Sequence, residues 1–250
     1  SGDINDASAT YVAPFYGDGV VINGGTDAAV AITSRSAGTL KNLFMFVETN
    51  SRTTATTVRT RKNAANGAIS FSISGSATGN FEDTANTDTI AAGDTFNWQV
   101  VTGTGTGSIF YHQVAIDFET TNSNQQFTCG SAAGQAQSSA LTRYMPIAGL
   151  GNSNATESNV EIESNLAMTV SKLQCYISAN SEVADATLRL RKNAANGNQT
   201  VTITALTTGV FQDAVNTDSI VASDIINYSF VTGAGVTSLT INSISLLADV

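Results

Sequence analysis

The feature that most limits how this chain can fold is an internal repeat. Arg61-Lys62-Asn63-Ala64-Ala65-Asn66-Gly67 returns as Arg191-Lys192-Asn193-Ala194-Ala195-Asn196-Gly197, an offset of 130 residues from Lys62 to Lys192. The offset holds without a gap well beyond that motif. Phe81, Asp83, Asn86, Thr87, Asp88, Ile90, Asp94 and Asn97 answer to Phe211, Asp213, Asn216, Thr217, Asp218, Ile220, Asp224 and Asn227. Val101-Thr102-Gly103 answers to Val231-Thr232-Gly233, and 24 of the 56 positions from Arg61 to Ile116 are identical. Upstream, Ile32, Ser34, Ala37, Thr39 and Leu43 pair with Ile162, Ser164, Ala167, Thr169 and Leu173. A period this long implies two duplicated domains rather than a solenoid, because each copy is large enough to close its own core. The expected domains are 1–120 and 131–250, joined by a polar linker over 121–130.

Each copy carries the pattern of strands. Leu43-Phe44-Met45-Phe46-Val47, Ala68-Ile69-Ser70-Phe71-Ser72-Ile73-Ser74 and Val201-Thr202-Ile203-Thr204 alternate apolar and polar residues, and β-branched and aromatic side chains fill them. The first copy predicts eight strands, at 18–23, 28–34, 40–49, 54–62, 68–74, 87–91, 95–102 and 108–118, and the second repeats them. Asn66-Gly67 and Asn196-Gly197 predict hairpin turns, since both residues tolerate positive φ. Ala92-Gly93-Asp94 and Ala222-Ser223-Asp224 read as turns before the penultimate strand. A short helical turn is expected around Ala132–Ala140. The fold class is therefore all-β: two tandem duplicated antiparallel β-sandwiches, best fitted by jelly rolls of about eight strands each, with an immunoglobulin-like sandwich second. In the last strand Ile109 and Tyr111 share one parity, and Val114 and Ile116 the other. Leu239 and Ile241, then Ile244 and Leu246, do the same. A face that stays buried changes parity only through an extra residue, so β-bulges are expected near His112-Gln113 and Asn242-Ser243.

Composition narrows the function classes. Charged residues are 12% and apolar residues 42% of the chain, too few charges for a coiled coil and too much apolar content for a disordered chain. The net charge is −9, with 11 Lys and Arg spread along the sequence, so there is no basic footprint for nucleic acid. No apolar run is long enough to insert in a membrane as a helix. Ser1-Gly2-Asp3-Ile4-Asn5 has neither a basic n-region nor an apolar h-region, so no signal peptide is expected within this sequence; a leader already removed would leave the same start.

The residues that could carry chemistry each have a structural reading beside the functional one. His112 is the sole histidine, its counterpart is Asn242, and no nucleophile context accompanies it; a strand histidine is favoured over a catalytic base. Cys175 shares a face with Leu173 and Ile177 and reads as a buried thiol, with a Cys129–Cys175 bridge the alternative. Zinc is not expected from two Cys and one His, and no cofactor is implied. Asp83, Asp88 and Asp94, with Asp213, Asp218 and Asp224, lie in loops rich in oxygen ligands. Calcium is the functional reading, and carboxylates holding turns by accepting backbone N–H bonds are the favoured one. Arg59, Arg61 and Lys62, repeated as Arg189, Arg191 and Lys192, form a basic row on one strand face. It is a possible contact for a carboxylate or phosphate of a glycan or partner, weighed against a solvated sheet face with acidic neighbours. Tyr11, Tyr16 and Tyr144 could stack on sugars or pack in cores and subunit contacts.

Leu188-Arg189-Leu190-Arg191-Lys192-Asn193, an alternating Thr/Val strand, and then Phe211-x-Asp213-x-x-Asn216-Thr217-Asp218-x-Ile220-x-x-x-Asp224 resemble small β-sandwich modules of virion proteins of tailed phages. Similar modules occur in bacterial surface proteins. The resemblance covers 54–104 and 184–234 and brings no catalytic residues with it. It implies a non-enzymatic structural protein, a capsid decoration or capsid component at a virion surface or outside the cell. Such a protein would assemble as a symmetric homo-oligomer, a trimer favoured, with other virion or surface proteins as partners. The alternative is a glycan-binding module of a secreted or fibre protein used in attachment. A hydrolase on the same scaffold ranks last for want of a base.

Overall fold

Alternating Thr, Val, Ile and aromatic residues satisfy their backbone groups by pairing sideways and bury one face by stacking sheets. In the computed structural model the residues described are 2–4, 9–12, 26–138, 140–147, 153–233 and 238–250; of 2–4, 112 and 126–135 only the backbone is described. The chain divides into two compact units, Ser1–Ser123 and Asn124–Val250. Both are antiparallel β throughout, with short 3₁₀ turns at Asp27–Ala29 and Glu157–Asn159.

In unit 1 the strands are β1 (Gly2–Ile4), β2 (Ala9–Val12), β3 (Ile32–Thr33), β4 (Gly38–Asn50), β5 (Thr56–Lys62), β6 (Ala65–Ile73), β7 (Gly79–Asp83), β8 (Asp88–Ile90), β9 (Thr95–Thr102) and β10 (Ile109–Thr120). One sheet runs β1-β10-β4-β7, with β8 also on β4; the other runs β2-β9-β5-β6, with β3 on β9. Unit 2 contains β11 (Gln125–Ser138), β12 (Thr142–Met145), β13 (Ile162–Glu163), β14 (Met168–Asn180), β15 (Ala186–Lys192), β16 (Ala195–Ile203), β17 (Gly209–Gln212), β18 (Thr217–Ile220), β19 (Ile225–Val231) and β20 (Ser238–Asp249). Its sheets run β11-β20-β14-β17 with β18 on β14, and β12-β19-β15-β16 with β13 on β19. One core joins them: Val170, Leu173, Cys175, Ile177, Leu239, Ile241, Ile244 and Leu246 from the first sheet meet Leu188, Leu190, Val201, Ile203, Tyr228 and Phe230 from the second. Each such aliphatic side chain taken from water stabilises the fold by roughly 1.5–3 kcal/mol. In unit 1 the rings of Phe96 on β9 and Phe118 on β10 stack across the sheets with centroids 6.0 Å apart.

The bulges inferred from parity are present. Tyr111 pairs with Val47 and Gln113 with Phe46, which leaves His112 as the extra residue. Tyr176 pairs with Ser243 and Ile177 with Ile241, which leaves Asn242. A second parity change, from Leu40 to Leu43 and from Val170 to Leu173, is absorbed where Asn42 and Lys172 take φ of 56° and 57°.

Other expectations need correction. The hairpin turn between β5 and β6 is Asn63-Ala64, with φ of 48° and 62°, and Lys62 pairs with Ala65. Asn193-Ala194 does the same with φ of 50° and 60°. Asn66-Gly67 lies beyond the turn, where β6 bulges between the Arg59–Ser70 and Arg61–Asn66 pairs. Asn63 wins the turn because its side chain is held on both sides: Nδ2 donates to Asp94 Oδ1 at 2.6 Å, and Oδ1 accepts the Thr95 N–H at 2.8 Å. Gly67 serves close approach instead, since a Cβ there would stand 2.2 Å from Thr60 Oγ1 and 2.3 Å from Asp88 Oδ2. Of the 28–34 strand only Ile32–Thr33 forms, after the 3₁₀ turn. The 18–23 strand lies outside the described residues. No strand was expected at β1, β2 or β7. The helical turn expected around Ala132–Ala140 is largely strand, and the segment expected as a linker over 121–130 becomes β11 from Gln125 onward. Main-chain pairing with β20 needs no apolar side chains, so polar composition concealed it.

The turn assignment has a mutational consequence. Ala64→Gly and Ala194→Gly relieve a positive φ at an exposed site and should each stabilise by about 0.5–1 kcal/mol in urea unfolding. Gly67→Ala should destabilise by about 3 kcal/mol, and Gly197→Ala, whose Cβ would sit 2.8 Å from Asp218 Oδ2, by less.

Candidate partner-contact face

β5 and β15 place the basic row. Val58, Leu188 and Leu190 face the cores, so Arg59, Arg61, Arg189 and Arg191 leave the opposite face. Arg61 is committed locally. Its Nη2 lies 3.1 Å from Asp27 Oδ2 in the 3₁₀ turn, and its guanidinium carbon sits 5.7 Å from the centre of the Tyr11 ring. It also donates to Asn66 Oδ1 and the Ala64 carbonyl, clasping the hairpin turn. Arg191 repeats the set: Nε and Nη2 donate to Glu157 Oε1 and Oε2 at 2.8 and 2.9 Å, and the guanidinium lies 5.9 Å from the Tyr144 ring centre. The Arg191 bonds hold the Glu157 carboxyl below the usual range. Lys62 reaches the Thr89 carbonyl at 2.6 Å and Asp94 at 3.0 Å; Lys192 reaches the Ser219 carbonyl at 2.8 Å and Asp224 at 3.2 Å. Arg59 Nε donates to Gln99 Oε1 at 2.7 Å. Arg189 differs, because its cross-strand neighbour is Ser229, too short to reach, and its Nε is buried without a partner among the described residues.

The acidic loops act on the backbone. Asp83 accepts the Ser70, Ala85 and Asn86 N–H groups and Asn86 Nδ2, all at 2.9–3.1 Å. Asp213 accepts Thr200, Val215 and Asn216 N–H and Asn216 Nδ2 at 2.8–3.1 Å. Asp88 accepts the Ala68 N–H and the Thr60 hydroxyl, and Asp218 accepts the Asn198 and Gln199 N–H groups. Asp94 and Asp224 accept the N–H groups of Ala91 and Val221 and the side-chain amides of Asn63 and Asn193. The Asn63 and Ala91 bonds hold the Asp94 carboxyl down to about 2. Burial pushes Asp213 up, and the bonds from Asn216, Thr200 and Val215 outweigh it, bringing that carboxyl also to about 2. A carboxylate whose lone pairs already face N–H donors is a poor calcium ligand. Among the described residues no three His, Cys, Asp or Glu side chains form a metal-holding group.

Cys175 is a free thiol in the core of unit 2, pushed up to about 12 by burial, so no Cys129–Cys175 bridge forms. His112 is placed at the β10 bulge, with its side chain outside the described residues. Sequence reasoning overlooked one pair. Arg52 is fully buried and donates to the Gly107 and Gly103 carbonyls at 2.9 and 2.5 Å, clamping the β9–β10 loop. Its counterpart at the offset of 130 is Glu182, equally buried, whose two carboxylate oxygens have no partner among the described residues. The signal was present as a charge reversal between Asn50-Ser51-Arg52 and Asn180-Ser181-Glu182, two otherwise matching loops.

No protein-family model matches the chain, and no curated protein matches it. Among solved structures it is similar to a Paenibacillus xanthan lyase, with a TM-score of 0.29 and 11% identity over 88% of this chain. The chain spans 22% of the length of that lyase. No helix among the described residues is long and apolar enough to cross a membrane.

Two outcomes follow from these contacts. A carboxyl held below its unfolded value of 3.8 contributes stability above that value and loses it as pH falls through the folded one. Stability should therefore be level from pH 7 to 5 and fall between about pH 4 and 2, and Asp213→Asn should destabilise by about 2 kcal/mol at pH 7 and flatten that fall, as read by urea titration at each pH. Glu182→Leu replaces a fully buried carboxyl that finds no partner among the described residues by an apolar side chain of similar size and should stabilise by about 1–3 kcal/mol, whereas Arg52→Ala, which strips two part-buried carbonyls of their donor, should destabilise by about 3 kcal/mol in the same assay.

Proposed function

We propose that the chain is a non-enzymatic structural protein, a pair of tandem jelly rolls that assembles as a symmetric homo-oligomer at a virion surface, as capsid decoration or capsid component. The observation that carries this reading is the order of strands. Taking β2 with β3 and β7 with β8 as single interrupted strands, successive strands of unit 1 change sheet at every step except the β5–β6 hairpin, and the first and last strands lie side by side. Unit 2 follows the same order with β11 and β20 as first and last. That order is the one a double Greek key of the jelly-roll kind calls for, and it supports the reading because jelly rolls are common to viral capsids and lectins.

The side chains favour the assembly branch over the sugar-binding branch. Arg61 and Arg191 lie over the Tyr11 and Tyr144 rings, the surfaces a sugar would stack on, and are themselves paired with Asp27 and Glu157. The basic row spends its charge on holding hairpins and 3₁₀ turns, which suits a protein whose task is to keep its shape. Light scattering after size exclusion tests the reading: a species of about three times 25.8 kDa, or another closed multiple, is expected. A strict monomer that retains a glycan on an array would overturn it in favour of attachment.

A further inference from the structure

Five of the six cations in the basic row have partners within their own unit. The Arg189 guanidinium has none among the described residues, and its Nε is buried. Unit 1 shows the partner that this position can take. On its outer face Tyr11, Gln99, Arg59 and Ser70 stand in one cross-strand row, and the Gln99 carboxamide lies against the Arg59 guanidinium, with Oε1 accepting from Nε at 2.7 Å. The same row in unit 2 is Tyr144, Ser229, Arg189 and Thr200. Ring, guanidinium and hydroxyl are kept, and the carboxamide is not. Serine stops where the Gln99 side chain continues into a carbon and two polar atoms, so the piece lost is a planar group of carboxylate shape.

The surroundings suit an incoming acid. Two residues along β15, on the same face, Arg191 already holds a carboxylate: its Nε and Nη2 donate to Glu157 Oε1 and Oε2 at 2.8 and 2.9 Å. The Glu157 charge is met there, so it leaves the charge of Arg189 uncancelled. On the other side the next row is Thr142, Val231, Thr187 and Thr202. Its side chains are short and Val231 is 40% exposed, so a side chain from outside can lie across them to reach Arg189.

We propose that Arg189, with Ser229 and Thr200 beside it, is a binding site for a carboxylate presented by an Asp or Glu side chain of a partner polypeptide. The carboxylate takes the place that the Gln99 group has in unit 1, with one oxygen on Nε and the other on Nη2, the edge that Arg191 turns to Glu157. An acid suits the position better than a neutral amide, because both partners are then ionised and the planar fork matches two oxygens. It also satisfies a donor that is otherwise buried dry. A polypeptide acid is favoured over an acidic sugar, because the ring in this row on which a sugar would stack, Tyr144, has the Arg191 guanidinium 5.9 Å from its centre. The inference goes beyond the assembly reading and does not rest on it, since a single chain carries the whole site.

The test follows the arginine Nε–H signals of the full chain by nitrogen–proton correlation NMR, with the Arg189 signal assigned by its loss in Arg189→Lys. Sodium acetate, a capped Gly-Glu-Gly peptide, its Gly-Gln-Gly counterpart or galacturonate replaces sodium chloride at constant ionic strength. Acetate and the Glu peptide should move the Arg189 signal with half-saturation on the order of 10 mM, as a contact of so few atoms allows. The Gln peptide should need at least about tenfold more. Ser229→Gln, which copies the unit 1 row, should abolish the response, and Gln99→Ser should make the Arg59 signal respond in the same way. Each substitution copies a row that the other unit already folds around, and either one alone tests the site. A signal that moves on dilution of the protein would support the site, with a second copy of the chain as the source of the acid. No movement of the Arg189 signal in about 0.2 M acetate, together with none on dilution, would overturn the proposal, as would a full response to acetate in Ser229→Gln. Galacturonate bound about tenfold more tightly than the Glu peptide would overturn the assignment to a polypeptide.

Discussion

The contact on which the rest of each unit depends is a carboxylate reaching from one sheet to the backbone of the other. Asp83, at the end of β7, accepts the Ser70 N–H of β6, and Asp88, at the start of β8, accepts the Ala68 N–H. β6 is the edge strand of its sheet, and it is bulged at this point, so several of its donors lack a ladder partner. Left dry they would each forfeit roughly 1–3 kcal/mol. The two aspartates satisfy them and tie the sheets together at the edge furthest from β10. Gly67 is required because the carboxylate passes where a Cβ would be. The bulge in turn shifts the pairing of β5 with β6, which makes Asn63-Ala64 the turn and brings Ala64 and Asn66 within reach of Arg61.

That chain of dependence explains what could be read from sequence and what could not. Strand identity in β4, β5, β6, β9 and β10 was legible because alternation records which face is buried. The bulges at His112 and Asn242 were legible for the same reason: a parity change leaves a trace in the spacing of Ile109, Tyr111, Val114 and Ile116. The turn was misplaced because Asn-Gly is a local signal, and the position of this turn is decided by Asp94 and Thr95, distant along the chain and adjacent in space. β11 was missed because Gln125-Gln126 and the residues that follow owe their strand to β20's backbone. The Asp83 and Asp88 roles were legible as a class, carboxylates serving N–H groups, although the sequence could not say that those groups belong to the opposite sheet. Neither could it show that the basic row closes on Asp27 and Glu157, since these lie 34 residues from Arg61 and Arg191.

The places where the units differ are as informative as those where they agree. Thr60 donates its hydroxyl to Asp88; its counterpart Leu190 cannot, and Gln199 replaces Ile69 in the same layer, fully buried, its Oε1 accepting the Leu173 N–H at 3.0 Å. The polar group has moved from one strand to its neighbour without leaving the interior. Gln99 becomes Ser229 and leaves the Arg189 Nε unanswered. Arg52 becomes Glu182, and the guanidinium whose donors clamp the β9–β10 loop is not repeated in unit 2. The Asp83, Asp88 and Asp94 set and the Arg61 set remain in both units. What is kept holds the hairpins and turns of a single unit; what varies includes polar groups inside the core as well as the clamp on a loop.

The same division bears on how each unit closes the edges of its sheets. A sandwich has four sheet edges, and each must be paired, covered or disarmed. On the β6 and β16 edges the Ser70 and Thr200 N–H groups are taken by the aspartates of their own unit. The β20 edge is paired by β11, which begins at Gln125 with only the four residues Thr121–Asn124 between it and the end of β10. The connection between units is therefore itself a structural part of the second, and the polar composition that looked like a tether carries ladder hydrogen bonds. In unit 2 the first strand, β11, and the last, β20, therefore lie side by side along all of β20, whose Ile244, Leu246 and Ala248 are buried.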